Sequence, residues 1–280
     1  MSAFILKLIA LISMIIDHTG VALQPLISAQ MYILLRCIGR LAFPIYVFFI
    51  AEGCGKTRDI HKYVLRLFIF ALISEAPFDL ALFMPNFFDF QFQLNMIVNK
   101  HQNVFFTLFF GAASIMVYQL FDVQNIMRYV RYIFIIGIIA LGELLYTDYG
   151  SVGIAAIFLL YITPYGNKAT DDSEQLPRVK QNMSVKGKLL RIFFLFLLVI
   201  YLYVIKFINW NNLDRLGEAP FVPNILPELG FMLTICGLLP LLLLTLYNGR
   251  KGPGMRWLFY ASYPAHLLIL IGINYFLTAR

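Results

Sequence analysis

The chain has 280 residues, of which 60% are hydrophobic and only 13% charged, and its mean hydropathy is +0.77. Soluble domains hold roughly 45–50% apolar and 25% charged residues, so this composition excludes a soluble globular protein and implies an integral membrane one. The net charge of +7 would suit a nucleic-acid binder, but the placement of the cations excludes that reading.

Apolar runs of about 20 residues bounded by polar clusters predict an all-α polytopic membrane protein with about nine spans, within a range of eight to ten. The runs cover residues 4–26, 29–51, 63–83, 103–121, 129–146, 150–164, 189–208, 226–247 and 255–277. Of the 22 Lys and Arg residues, sixteen fall on the side of the amino terminus, among them Lys7, Lys56, Arg58, Lys62, Arg66, Arg131 and Arg191. Four fall on the other side and two, Arg36 and Arg40, lie within a span. That split is the positive-inside signature, which puts the amino terminus in the cytoplasm and the carboxyl terminus outside. Met1-Ser2-Ala3 supplies no charged region before the first run, so the first span is expected to be retained. Cys37, Cys54 and Cys236 are scattered and odd in number, which predicts neither a disulfide framework nor a metal site.

The first run carries Asp17 and His18 well inside it. An acid at the centre of a spanning helix costs about 2.5 to 3.5 kcal/mol on insertion scales, so the pair reads as functional. Lys7 and His18 are eleven residues apart, three turns plus about 20°, which puts them on one helix face about 16 Å apart along the axis. The second run holds Arg36 and Arg40 at i,i+4 spacing, both in need of anionic partners. The third holds Glu75 and Asp79, again i,i+4, with Pro77 between them interrupting the backbone ladder. These features suggest a two-arginine face opposite a two-acid face.

Outside the membrane, residues 88–96 alternate with period two, either an extended lid at the interface or an irregular loop. Lys100-His101-Gln102-Asn103 then opens the fourth run with polar groups. Glu143 lies in the outer half of the fifth run. Residues 165–188 form a polar linker between a motif-rich segment, 1–164, and a three-span remainder, 189–280, the whole being one transmembrane domain. In the last run Tyr263 and His266 share a face beside Pro264.

Asp17, His18, Arg40, Glu75, Glu143 and His266 form the candidate catalytic set, with Arg36, Asp79, Gln102, Asn103 and Tyr263 supporting it. The formally charged groups among them would cost on the order of 15 to 20 kcal/mol if left unpaired in the membrane, so they are expected to gather around a wet cavity. Adjacent helix residues diverge by about 100°, so Asp17 is poorly placed to orient the His18 ring, and Glu75 or Glu143 is the better candidate. The set then reads as a general base, an orienting acid and guanidinium groups for a developing oxyanion, with no serine or cysteine nucleophile motif.

The ordered motifs Leu6-Lys7-Leu8-Ile9-Ala10 with Asp17-His18-Thr19-Gly20, Gly39-Arg40-Leu41-Ala42-Phe43-Pro44, Ser74-Glu75-Ala76-Pro77-Phe78-Asp79, Gln102-Asn103-Val104 and Tyr263-Pro264-Ala265-His266 resemble the TraX family. The opening cation followed eleven residues later by His is more remotely similar to the membrane-bound acyltransferases, which carry Arg where this chain has Lys7. The resemblance implies an acetyltransferase of the bacterial cytoplasmic membrane that draws on acetyl-CoA and modifies a pilin-like amino terminus or an envelope glycan. It implies His18 as the catalytic residue and Arg40 as a supporting one. Acetyl-CoA would then enter from the basic cytoplasmic face, its phosphates held by Lys7 and by Lys56, Arg58 or Arg66, with no metal and no nucleic-acid partner. Two other classes stand beside this reading: an ion- or proton-coupled transporter, to which buried charges also belong, and a non-enzymatic membrane assembly factor.

Overall fold

The computed structural model describes residues 1–82, 101–121, 127–163, 187, 189–201 and 226–278. Every predicted run contains a helix among these residues, and no strand occurs among them. The helices are α1 (Ala3–Ala22), α2 (Ala29–Gly39), α3 (Ala42–Lys56), α4 (Ile60–Leu82), α5 (Val104–Leu120), α6 (Met127–Leu144), α7 (Gly150–Ile162), α8 (Leu189–Tyr201), α9 (Leu226–Thr245) and α10 (Arg256–Thr278). Among the described residues three stretches, Ala3–Ala22, Ala29–Lys56 and Trp257–Leu277, are long and apolar enough to cross a membrane. The alternating segment 88–96 and, apart from residue 187, the linker 165–188 lie outside the described residues.

The second predicted run is not one helix. It breaks at Arg40 and Leu41, whose amides bond to the carbonyls of Cys37 and Ile38 in tight three-residue turns. The cause lies four residues on, where Pro44 lacks the N–H that would bond the Arg40 carbonyl and its ring crowds that oxygen. Pro44 itself falls in the first turn of α3, where a missing donor costs nothing. By contrast, α4 runs through Pro77 to Leu82 without a break.

Two compact units share the chain: Met1–Tyr46 with Ile192–Met255, and Val47–Arg191 with Arg256–Arg280. In the first unit, α1 packs on α2 and α2 on α9. Ser2 caps α1 through the Ile5 amide, and Ser28 caps α2 through the Met31 amide. The loop after α9 holds the start of the chain, with the Ala3 amide bonded to the Arg250 carbonyl and the Asn248 amide to the Met1 carbonyl. Buried positions Ala3, Leu6, Ala10, Ser13 and Gly20 trace a stripe along α1 at alternating spacings of three and four that also passes through Asp17.

In the second unit α5 packs on α4, α6 and α7, and α10 packs on α4. Its buried centre, Gly111, Ala112, Ala113 and Ser114, is small, which lets neighbouring backbones approach closely in the manner of membrane helix interfaces. Two of the cations counted in the expected cytoplasmic set, Arg131 and Arg191, satisfy helix C-termini here. Arg131 donates to the Tyr118 carbonyl in the last turn of α5 and lies 4.0 Å from the Tyr118 ring centroid and 5.1 Å from that of Tyr132. Arg191 donates to the Thr163 carbonyl just past α7. Both pairings place a cation where a helix dipole is negative.

Candidate functional site

In the first unit the polar residues gather where α1 meets the end of α2. Arg36 Nη1 lies 2.6 Å from Asp17 Oδ2, with both side chains largely removed from solvent. Asp17 rests directly on the backbone of Gly39, so that a Cβ at Gly39 would fall on its carboxyl group. Its second oxygen, Oδ1, is buried and has no hydrogen-bond partner among the described residues. The partner of Arg36 is thus the acid of its own hairpin and not the acids of α4. Arg40 stands at the break one turn further on, half-buried.

With Asp17 turned into that pair, His18 falls on a different row of α1. Lys7, Leu11, Met14 and His18 follow one another at spacings of four, three and four, with Leu11 and Met14 buried and the two polar ends half-buried. A cation and an imidazole therefore bracket one apolar strip about 16 Å long.

In the second unit Glu75 and Glu143 each serve a helix N-terminus. Glu75 Oε2 accepts from the Asn103 backbone amide at 3.1 Å and from the Asn103 side-chain amide. Asn103, fully buried, also accepts from the Phe105 amide to cap α5 and donates to the Ala71 carbonyl at 2.8 Å. Gln102 continues the join, its amide bonding the Tyr146 carbonyl in the turn between α6 and α7. Glu143 Oε2 accepts from the Ser151 amide at 2.7 Å in the first turn of α7. Gly150 beside it has φ of +52°, and a Cβ there would crowd the Glu143 carboxyl, so this turn calls for glycine twice over. A carboxyl oxygen thus accepts from a backbone amide at the start of each helix, where donors are otherwise left over.

Tyr263 is buried at the same end, edge-on to Phe105 with ring centroids 5.1 Å apart, its hydroxyl beside the Val104 amide and in the field of Glu75 and Asp148. Asp79 follows Glu75 by one turn and interacts with it electrostatically. His266 is buried with Nδ1 2.8 Å from the Ser262 carbonyl. A carbonyl can only accept, so Nδ1 carries the proton and Nε2 is the basic nitrogen of the neutral ring.

Of the predicted phosphate-binding cations, Lys56 pairs with the buried Glu52 at 2.6 Å, and Arg66 lies 5.9 Å from the Tyr63 ring centroid with its Nε buried. Asp59, in the turn between α3 and α4, caps α4 through the Lys62 amide at 3.0 Å. That bond, with the Lys62 side chain, holds its carboxyl below the usual carboxylate range.

Sequence reasoning missed Gly39 as the seat of Asp17 and the helix break at Arg40. Pro44, four residues after Arg40, was the available signal for the break.

Apolar helices that carry paired and capping charges define an all-α membrane protein. Residues 2–173 match the TraX protein family, and the chain belongs to it. A relative from Dichelobacter nodosus, described as "Probable fimbrial assembly protein FimC, serogroup H1", is 29% identical over 281 residues, covering 99% of this chain and 97% of the relative. No solved structure matches.

Proposed function

We propose that this TraX-family protein is a multi-pass enzyme of a bacterial cytoplasmic membrane that moves an acetyl group from cytoplasmic acetyl-CoA to an acceptor amine or hydroxyl. The observation that carries the reading is the row Lys7, Leu11, Met14, His18 on α1, with Asp17 diverted to Arg36. Such a row offers an anion-binding cation near one end of the helix and a base deep along it. The fimbrial name of the relative supports a pilin-like acceptor, and an envelope glycan is the other acceptor of suitable chemistry.

In this mechanism His18 takes the proton of the acceptor N–H or O–H as that atom attacks the thioester carbonyl. The Arg40 guanidinium offsets the charge that develops on the carbonyl oxygen. The carbon–sulfur bond then breaks, and the proton passes from His18 to the departing CoA thiolate. Lys7 is the phosphate ligand on α1, and as a point charge it binds phosphate without the two-pronged grip of arginine. At the corner of α3 and α4, Lys56, Arg58 and Arg66 are further candidates for that role.

The test is acetyl transfer by the purified protein from labelled acetyl-CoA. His18→Ala should lower turnover by about 100-fold or more, the range general base catalysis supplies, while insertion and yield stay at wild-type levels. Undiminished turnover in that variant removes the proposal. A second reading, a non-enzymatic assembly factor, is favoured by the relative's name, and wild-type protein that neither binds nor turns over acetyl-CoA would decide for it.

A further inference from the structure

Folding brings together two thiols that the sequence keeps far apart. Cys37, in the last turn of α2, is buried, and its thiol is hydrogen-bonded to that of Cys236, half-buried near the middle of α9. The two helices pack on each other within the first unit, and neither cysteine is in a disulfide. Cys54, the third cysteine, is buried in the other unit. Thiols are weak donors and weak acceptors, so their hydrogen bond adds little to stability. The chemistry two touching thiols do share is oxidation, which draws the sulfur atoms in to a bond of about 2.05 Å.

The surroundings select the oxidant. Along α9, Met232, Ile235, Leu239 and Leu242 follow at spacings of three, four and three and are all exposed, an apolar stripe on the outside of a membrane helix. Cys236 borders that stripe, next to Ile235 and one turn from Met232 and Leu239. The approach to the pair is therefore through acyl chains, a route closed to charged, water-soluble disulfides and open to a lipid-soluble quinone. The position of Cys37 gives the bond its consequence. Its carbonyl accepts the Arg40 amide in the turn that ends α2, and the Arg40 guanidinium acts electrostatically on its thiol.

We propose that Cys37 and Cys236 form a redox site, oxidised by a lipid-soluble quinone to a disulfide that clamps α2 to α9 at the helix break. Both S–H bonds break and one S–S bond forms, while the two electrons and two protons pass to the quinone and leave a hydroquinone. The inference is independent of the acetyltransferase reading, since it needs neither donor nor acceptor.

The experiment uses the full chain, reduced, in phosphatidylcholine nanodiscs, incubated with decylubiquinone and then unfolded in iodoacetamide and weighed. Of the three cysteines, Cys54 alone should be alkylated, a peptide should join Cys37 to Cys236, and dithiothreitol should restore alkylation at all three. The oxidised protein should melt about 5 °C or more above the reduced one, as a cross-link closing a long loop implies. Full alkylation after quinone treatment overturns the proposal, as does a quinone adduct on either thiol or a disulfide that includes Cys54. A disulfide that fails to raise Tm also overturns it, because the thiols would then meet only in a distorted chain. Cys236→Ser should be alkylated at Cys37 and Cys54 with or without quinone, and loss of alkylation there would show that oxidation does not need the pair. Should that variant fail to fold, the masses and Tm of the wild-type protein decide alone.

Discussion

The Asp17 carboxylate of α1 receives the Arg36 guanidinium of α2 at 2.6 Å, joining the two helices of the opening hairpin through charge as well as packing. Alone in a membrane-spanning helix, each charge would cost about 2.5 to 3.5 kcal/mol, so each makes the other tolerable. The pair also removes Asp17 from the surroundings of His18, one residue on and about 100° around the helix.

Breaking this pair from one side should be worse than removing it. Asp17→Asn leaves a largely buried guanidinium without a counter-charge and should destabilise the protein by about 3 kcal/mol. The double variant Asp17→Asn with Arg36→Gln should recover more than half of that loss. Thermal unfolding of the four proteins in one detergent forms the cycle, and losses that simply add would show the two residues to be uncoupled.

Close approach at Gly39 predicts opposite outcomes for one substitution at two places. Gly39→Ala puts a methyl group onto the Asp17 carboxyl and should cost about 1–3 kcal/mol, as overpacking does. Gly137→Ala, in the interior of α6 with nothing within 4 Å of the new atom, should stabilise by about 0.5–1 kcal/mol through helix propensity. The same melting assay reads both, and equal shifts would show that Asp17 does not rest on Gly39.

The acids at helix starts differ in how much depends on them. Glu143→Ala frees one amide at a partly exposed turn and should cost about 1 kcal/mol. Asn103→Ala keeps its backbone amide on Glu75 but removes the cap of α5 and the side-chain donor to Glu75 and Ala71 together, so it should cost more than twice as much. Hydrogen exchange in the first turns of α5 and α7 locates each effect. Faster exchange in both helices from either variant alone would show the caps to be one cooperative unit.

How far these contacts could be read beforehand depends on their separation along the chain. The helices follow from apolar runs and their polar boundaries: each run holds a helix among the described residues, although the second breaks in two at Arg40. Asp17 and Arg36 were readable in principle, because residues at similar distances from a short hairpin turn lie at similar depth. The arginines were set against Glu75 and Asp79 only because sequence spacing gives faces and not neighbours. Glu143 meets Ser151 eight residues away across one turn, a local pairing that its placement in an apolar run hid. Glu75 and Asn103 are 28 residues apart, with 83–100 between them, and nothing short of the packing of α4 on α5 brings them together.

In the turn between α3 and α4, Asp59 gives the fold a dependence on pH whose sign is fixed by geometry. Its oxygens accept the Lys62 amide and face the Lys62 ammonium at 3.2 Å, which lowers its folded pKa below that of the unfolded chain. The stability this contributes is therefore fully present above the ordinary Asp range near 4 and is lost as pH falls through the lower folded value. Amide exchange in the first turn of α4, corrected for its intrinsic pH dependence, should stay slow at neutral pH and quicken only in that acid window. Asp59→Ala should show the quickened rate at every pH, whereas Asp59→Asn, which retains an oxygen for the Lys62 amide, should keep most of the protection and abolish its pH dependence. A pH-dependent loss that persists in Asp59→Asn would assign the titration to another group.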